Sequence, residues 1–498
     1  MKNPCAAPWI NWSGTQEVYA RRVERPTTLA GLQELVRDVS ARRGRLKAVA
    51  TGLSFSDILQ TEDTLVETTG LLGEPDTGAL LPLEQELWHV PAHRTPLVRV
   101  ACGARIRALN AALQQAGLAF TNLGGYDGQT LVGALSTSTH GSGLSLPPLS
   151  DAVRSFDLVT ASGELLRLEP SRGLTDPTKF SHRYGNTRTL VQSDAWFWPA
   201  VVGLGCLGVV HSAVVAVSPA YRLHERRRVR AWSSVESELR AGGVLRQFRN
   251  YEILINPYVR HDGDYSCLVT ERNIAAPDAR RVPLPPERRS AESTTFLATS
   301  QTGVLELMNA EPRMIPGMLE AGLGALETGP EDHVDESFLV YNVGRINTAH
   351  VVAGEYFFPL KDRTYLCAVR ELLALVEKNR RRGIHQPTPF ALRFVAGSRA
   401  PLSMARDEPH LTIELSLFRG SPRAAEALLS YERLCLALGG RPHWGQMHEL
   451  TGEPGWLRRA YPRLDAFLTV FQNFNQSGVF NNHFTDRLGL SLPSGRLP

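Results

Sequence analysis

Two stretches of this chain could hold an anion without a charged side chain. "ATGLSFSD" (Ala50–Asp57) and "LVGALSTSTHGSG" (Leu131–Gly143) set small and hydroxyl residues in a row. Such stretches expose backbone N–H groups, and nests of these donors can cradle a diphosphate. Either stretch alone is also consistent with an ordinary turn. A third, "GLGCLG" (Gly203–Gly208), fits G-x-G-x-x-G, with Glu225 where an acidic ribose partner would sit. A dinucleotide fingerprint of that kind needs a strand before it and a helix after it. Here "AWFWPA" precedes it and the alternating, β-branched "VVHSAVVAV" follows, so the pattern argues against a Rossmann site. Groups suited to proton transfer or charge stabilisation occur later. Arg393 shares a strand face with Ala391 in "PFALRFVAG", Glu414 shares one with Ser416 in "HLTIELSLF", and "RPHWGQ" contains His443 and Gln446.

The elements that must position these residues alternate in kind. "RPTTLAGLQELVRDVSARRG" reads as a helix capped by Thr27 or Thr28, with Leu29, Leu32, Leu35, Val36 and Val39 at helical spacing and Gly44 beyond its end. "RLKAVATG" follows as a short strand leading into the first small-residue stretch. A strand over 97–101 passes through Gly103 into a helix with Ile106, Leu109 and Leu113 on one face. "LVGALSTSTHGSG" reads as a loop. "VRSFDLVTASGELLRL" reads as a hairpin turning at Ala161-Ser162-Gly163. The composition changes near residue 221. The Pro- and Arg-rich stretch 275–293 reads as an exposed loop, and three strands and two long helices follow it. Strands mixed with helices throughout indicate an α+β fold.

Bulk properties exclude several classes of function. The 498 residues carry a net charge of only +4, and the arginine runs are short, which excludes the basic face of a nucleic-acid binder. The six cysteines (5, 102, 206, 267, 367 and 435) have no disulfide or metal-ligand spacing, so no metal site is expected and a reducing, cytoplasmic setting is. The N-terminus lacks the apolar core of a signal peptide. The 27 uncharged residues from Ala195 to Tyr221 could span a bilayer, but their prolines and glycines indicate a buried loop and strand instead.

In order, "TGLSFSD", "LGGYDGQTLVGALSTSTHGSG", "LSDAVRSFDLVTASGE" and "GLGCLGVV" resemble the FAD-binding domain of the vanillyl-alcohol-oxidase (PCMH-type) superfamily. The aldonolactone and alditol oxidase branch is the most similar, through "RPHWGQ" and "FNQSGVFNNHF", and the resemblance covers nearly the whole chain. It implies a bipartite FAD-binding domain over 1–222, closed by 470–498, with an inserted α+β cap or substrate domain over 223–469. It also implies that "GLGCLGVV" lies with its backbone near the cofactor. The cofactor-binding residues carried over are Thr51, Gly52, Leu53, Ser54, Phe55 and Ser56, then Thr130, Gly133, Ser136, Thr139, His140 and Gly141, and finally Gly208, Val210 and Asn482.

Departures from the family pattern carry further expectations. Many relatives place a flavin-tethering histidine where this chain has Leu53. Leucine has no nucleophilic atom, and the second stretch offers no cysteine, so FAD is expected to be non-covalent. His140 is expected to hold its loop by hydrogen bonds. The family's E-x-R strand is here Ala391-Leu392-Arg393, and Glu414 on the next strand either restores the carboxylate or simply pairs with Arg393. The family's HWGK is His443-Trp444-Gly445-Gln446. Gln446 brings no fixed charge, which implies a lower flavin potential than in lysine-bearing relatives.

The implied reaction is oxidation of an alcohol carbon of a small molecule, polar or polyketide-like, by hydride transfer to flavin N5. Arg393 would orient the oxygen, with Ser416 beside it, and Glu414 or His443 would take the proton. Oxygen or another acceptor would reoxidise the flavin. The changes at 53, 391 and 446 suit a specialised tailoring oxidase. Two alternatives stay open: a dehydrogenase that avoids oxygen, and an FAD-containing scaffold for non-redox cyclisation or binding.

Overall fold

The computed structural model describes residues 8–72, 79–90, 95–284, 302–342, 351–361, 363–453 and 455–491. Residues 285–293 of the Pro- and Arg-rich stretch lie outside these. Three sheets matter to the site. A parallel three-stranded sheet orders Arg22–Glu24, Thr64–Glu67 and Leu46–Val49. A six-stranded sheet runs Arg188–Gln192, Leu165–Glu169, Val153–Val159, Val209–Ala216, Leu97–Ala101 and Leu80–Leu81. An eight-stranded antiparallel sheet, built from strands between Arg222 and Pro442, has Asn250–Ile255, Phe390–Val395, His410–Phe418 and Val351–Pro359 as adjacent members.

Local sequence explains the first elements. Thr28 caps the helix Leu29–Ala41, its side chain accepting from the Gly31 N–H, while Leu32, Val36 and Val39 are buried. The strand Leu46–Val49 ends where the first small-residue stretch begins. The 153–169 hairpin forms as its sequence implies, with Gly163 at φ +77° in its turn. "GLGCLG" sits between the helix Asp194–Val201 and the strand Val209–Ala216, which is not the order a Rossmann site requires.

Two expectations need correction. Residues 131–136 form a short helix rather than a loop. Thr130 caps it, its Oγ1 accepting from the Gly133 N–H at 3.3 Å, and Leu131, Ala134 and Leu135 bury one face. The polar letters of this stretch hide that i, i+3, i+4 triplet. The stretch after Ala195 also begins in a helix, Asp194–Val201, which ends just beyond Pro199. No helix among the described residues is long and apolar enough to cross a membrane.

Two main cores result. One joins the first two sheets and also takes in Trp444, Trp456, Tyr461, Phe467 and Phe471 from the C-terminal part of the chain. The other lies between the eight-stranded sheet and the helices Thr364–Arg381 and Ala424–Ala437. The second stretch joins the two bodies. Ser142 Oγ donates to Tyr251 O at 2.7 Å, and the Gly143 N–H donates to Phe394 O at 2.5 Å.

Candidate active site

A cavity of about 380 Å³ opens between the two bodies, and both small-residue stretches reach it. Thr51, Gly52, Leu53 and Ser54 line one wall. Thr130, Gly133, Ser136, Thr139 and His140 line the next, and Gly208 and Val210 a third. The eight-stranded sheet contributes Arg393, Glu414 and Ser416, and the following turn contributes His443 and Gln446.

Four residues expected at the cofactor do not line the cavity. Phe55 and Ser56 instead fasten the first stretch to the His443–Gln446 turn. The Phe55 N–H donates to Gly445 O, and Ser56 Oγ donates to Trp444 O, both at 2.7 Å. Gly141 is pressed against its neighbours, since a Cβ there would lie 2.3 Å from Leu123 O. Asn482 holds the backbone of a lining residue: its Nδ2 donates to Ile58 O and Gln60 O, each at 3.0 Å, and its Oδ1 caps the helix His483–Arg487.

The wall under "GLGCLG" contains a residue the sequence reading passed over. Lys47 is buried, and its Nζ donates to Leu204 O at 2.8 Å. Among the described residues no carboxylate lies within ion-pair distance of it. Burial lowers its pKa to about 8. Gly208, at φ +144°, could not take a side chain, because a Cβ would lie 2.6 Å from Val159 O.

The opposite end is a chain of charges. Arg393 Nη1 donates to Glu414 Oε2 at 2.7 Å and approaches Glu355 Oε1 at 3.4 Å. Ser416 Oγ donates to Glu414 Oε1 at 3.1 Å. The pairing of Glu414 with Arg393 is thus present, on a carboxylate that also faces the cavity. Glu355, also missed, is a lone acid in the apolar strand Val351–Pro359 and lies directly across from Glu414. His140 Nε2 is 3.2 Å from Glu355 Oε1, and its Nδ1 is 2.8 Å from the Gly141 carbonyl. Each ring nitrogen thus has an oxygen within reach, Glu355 Oε1 at one end and the Gly141 carbonyl at the other. Burial works to raise the Glu355 pKa, but His140, Arg393 and His443 outweigh it and hold the carboxyl well below its usual range.

His443 takes a different state from the one expected. Its Nδ1 accepts from the Gly445 N–H at 3.0 Å, so the neutral ring carries its proton on Nε2. Burial pushes its pKa down to about 4. With that lone pair already engaged, the neutral ring of His443, one of the two groups expected to take the proton along with Glu414, offers a donor at Nε2. Gln446 has a buried Oε1 with no hydrogen-bond partner, an orphaned acceptor in the cavity wall.

Burial also lowers His448 and His410 to about 3. All three folded values lie below the unfolded value of about 6.5. Between those limits the unfolded chain binds more protons, so stability is full above about pH 6.5 and falls as the pH drops toward 4. A Tm series from about pH 7.5 to pH 5, above most carboxylate titration, is expected to decline steadily. A flat profile would contradict the neutral buried states of these histidines.

The walls suit FAD. Glycine, serine and threonine make up much of the walls formed by the two stretches, and the lining also carries Lys47 and an unsatisfied polar atom at Gln446. Thr51 to Ser54, Gly133, Thr139 and Gly208 would hold it. No group of His, Cys, Asp or Glu among the described residues could hold a metal ion.

Comparison with known proteins agrees with this geometry. Residues 213–488 match the family model described as D-arabinono-1,4-lactone oxidase, and residues 20–169 match an FAD binding domain. The chain is 27% identical over 488 residues to an L-gulono-1,4-lactone dehydrogenase of Mycobacterium tuberculosis, covering 96% of this chain and 98% of that one. It is 25% identical over 483 residues to an alditol oxidase of Streptomyces sp., covering 95% and 97%. A cholesterol oxidase from B. sterolicum superposes with a TM-score of 0.73 at 16% identity, covering 97% of this chain and 96% of the other, a likeness of fold alone.

Proposed function

Since the chain belongs to the D-arabinono-1,4-lactone oxidase family, whose members are FAD-dependent oxidoreductases acting on hydroxylated small molecules, we propose that it oxidises an alcohol carbon of such a molecule in the cavity between its two bodies. The observation that carries this reading is that one cavity has both the small-residue walls and the Arg393–Glu414–Ser416 group. FAD, when bound, would supply the two-electron acceptor for the hydride of the substrate carbon.

The protein's own groups have separate roles. Arg393 holds the substrate oxygen and balances the charge that develops on it. Glu414 accepts the hydroxyl proton, and Ser416 keeps that carboxylate oriented. His443 donates from Nε2. Gln446 offers hydrogen bonding without a fixed charge, a feature that also suits an acceptor other than oxygen. The first 222 residues, with the chain from about 443 onward, form the FAD-binding unit in this reading, and the eight-stranded sheet and its helices form the substrate unit. The packing of Trp444 to Phe471 in the first core supports a return earlier than residue 470. A cytoplasmic setting belongs to the same reading, supported by the cysteine pattern.

FAD is held without a covalent bond in this reading, because Leu53 occupies the wall where a tether would attach. After acid precipitation the yellow colour is expected in the supernatant. Anaerobic addition of the true alcohol substrate to the holoenzyme is expected to bleach the flavin. A yellow pellet would refute the non-covalent reading, and ligand conversion without bleaching would refute the redox one.

A further inference from the structure

Four adjacent strands of the eight-stranded sheet each set one residue in a row along the cavity. Leu254 pairs with Ala391, Ala391 with Glu414, and Glu414 with Glu355, and all four line the cavity. One half of the row is therefore hydrocarbon and the other half carboxylate. Pro389, also in the lining, extends the first half, and Ser416 the second. Beside the hydrocarbon half, Leu268 pairs with Leu254 on the next strand and packs in one cluster with Leu254, Ala391, Leu323 and Leu326. The Thr388 hydroxyl in this part of the lining already donates to Ser416 O, so the hydroxyls of a polyol find little to pair with on that side, and unpaired polar groups are costly to desolvate.

The polar half has no surplus charge to attract an anion. Glu355 and Glu414 share Arg393, and the His140 ring covers the far side of Glu355. The single guanidinium is thus already shared by two carboxylates. A carboxylate or phosphate on a substrate would meet two acidic residues whose partners are already engaged.

We propose that the substrate is a neutral amphipathic alcohol: one hydroxyl directed to Arg393 and Glu414, on a hydrocarbon frame seated against Leu254 and Ala391. These two residues set the preference for hydrocarbon over polyol. The inference rests on the alcohol-oxidising reading above.

The test uses the holoenzyme under anaerobic conditions and follows flavin bleaching. The probes are 4-tert-butylcyclohexanol, sorbitol, an aldonolactone and gluconate. The cyclohexanol is expected to bleach the flavin with an apparent second-order constant about 100-fold or more above those of sorbitol and gluconate. Leu254→Ser and Ala391→Glu are each expected to narrow that ratio by about tenfold; in Leu254→Ser this comes through weaker binding of the cyclohexanol with the limiting rate nearly kept, whereas Ala391→Glu, which sets a carboxylate across from Glu414, lowers the limiting rate as well. The FAD content of each variant is measured first, so that misfolding is seen directly, and the milder Leu254→Ser stands if the buried carboxylate of the other is not tolerated. Faster bleaching by sorbitol or the lactone would overturn this inference and leave the redox reading intact. Bleaching by none of the probes would count against both. An unchanged ratio in both variants would overturn the assignment to Leu254 and Ala391.

Discussion

Replacing Arg393 with methionine is expected to lower kcat/KM by about 10²- to 10³-fold, the range seen when one preorganised donor to a developing oxyanion is removed. The loss should fall mainly on kcat, because the guanidinium matters most as charge grows on the substrate oxygen. The variant also removes the cation between Glu414 and Glu355, which face each other across paired strands. Two carboxylates left together repel, and one of them gains protons. The pH profile of kcat should therefore shift as well as the rate, a change that a packing defect alone would not produce. Arg393→Lys restores charge but not the planar fork, so only part of the rate should return. If kcat stays within about threefold of wild type while FAD remains bound, Arg393 does not act on the reacting oxygen.

Glu355→Leu is expected to destabilise the fold by about 3–5 kcal/mol, the usual cost of removing one member of a buried ion pair. Arg393 would lose one of its two carboxylates, and His140 Nε2 would lose its side-chain partner. Chemical denaturation of the holoenzyme measures the difference, and Glu355→Gln, which can still accept a hydrogen bond, should cost less. The sign of the pH effect follows from the depressed pKa of Glu355. The folded state holds the ionised form more tightly than the unfolded chain does, so this stabilisation is present above about pH 4.5 and is lost as the pH falls below it. The gap between wild type and Glu355→Leu should narrow in acid. Equal stability of the two proteins at neutral pH would show that the charge chain is not a closed network.

Much of this site is legible in the sequence because a strand turns alternate residues to one face. That rule places Arg393 with Ala391 and Glu414 with Ser416 before any coordinates are known. It cannot find Glu355, because its place depends on which strand pairs with which and in what register. A lone acid in "VVAGEYFFP" and the one base within "LKAV" were the available signals, since a charge inside an apolar strand has to find a partner. The state of His443 was also hidden, being fixed by a backbone N–H two residues away. The short helix after Thr130 escaped notice because its apolar triplet lies among glycine, serine and threonine. Asn482 was expected to touch the cofactor because it belongs to a closing segment that resembles that of the family. That segment does serve the first stretch, but by holding its backbone from behind.

Those ties have a consequence for the order of events during synthesis. The Leu46 N–H donates to Val479 O, Asn482 holds Ile58 O and Gln60 O, and Arg487 grips both oxygens of Asp57 at 2.7 and 2.8 Å. More than 400 residues of chain separate these partners. The first wall of the cavity is made early on the ribosome but cannot be fixed until residue 487 has emerged. Flavin is therefore expected to load only after the segment around residues 479–487 has emerged, and not on folding of the first part of the chain alone.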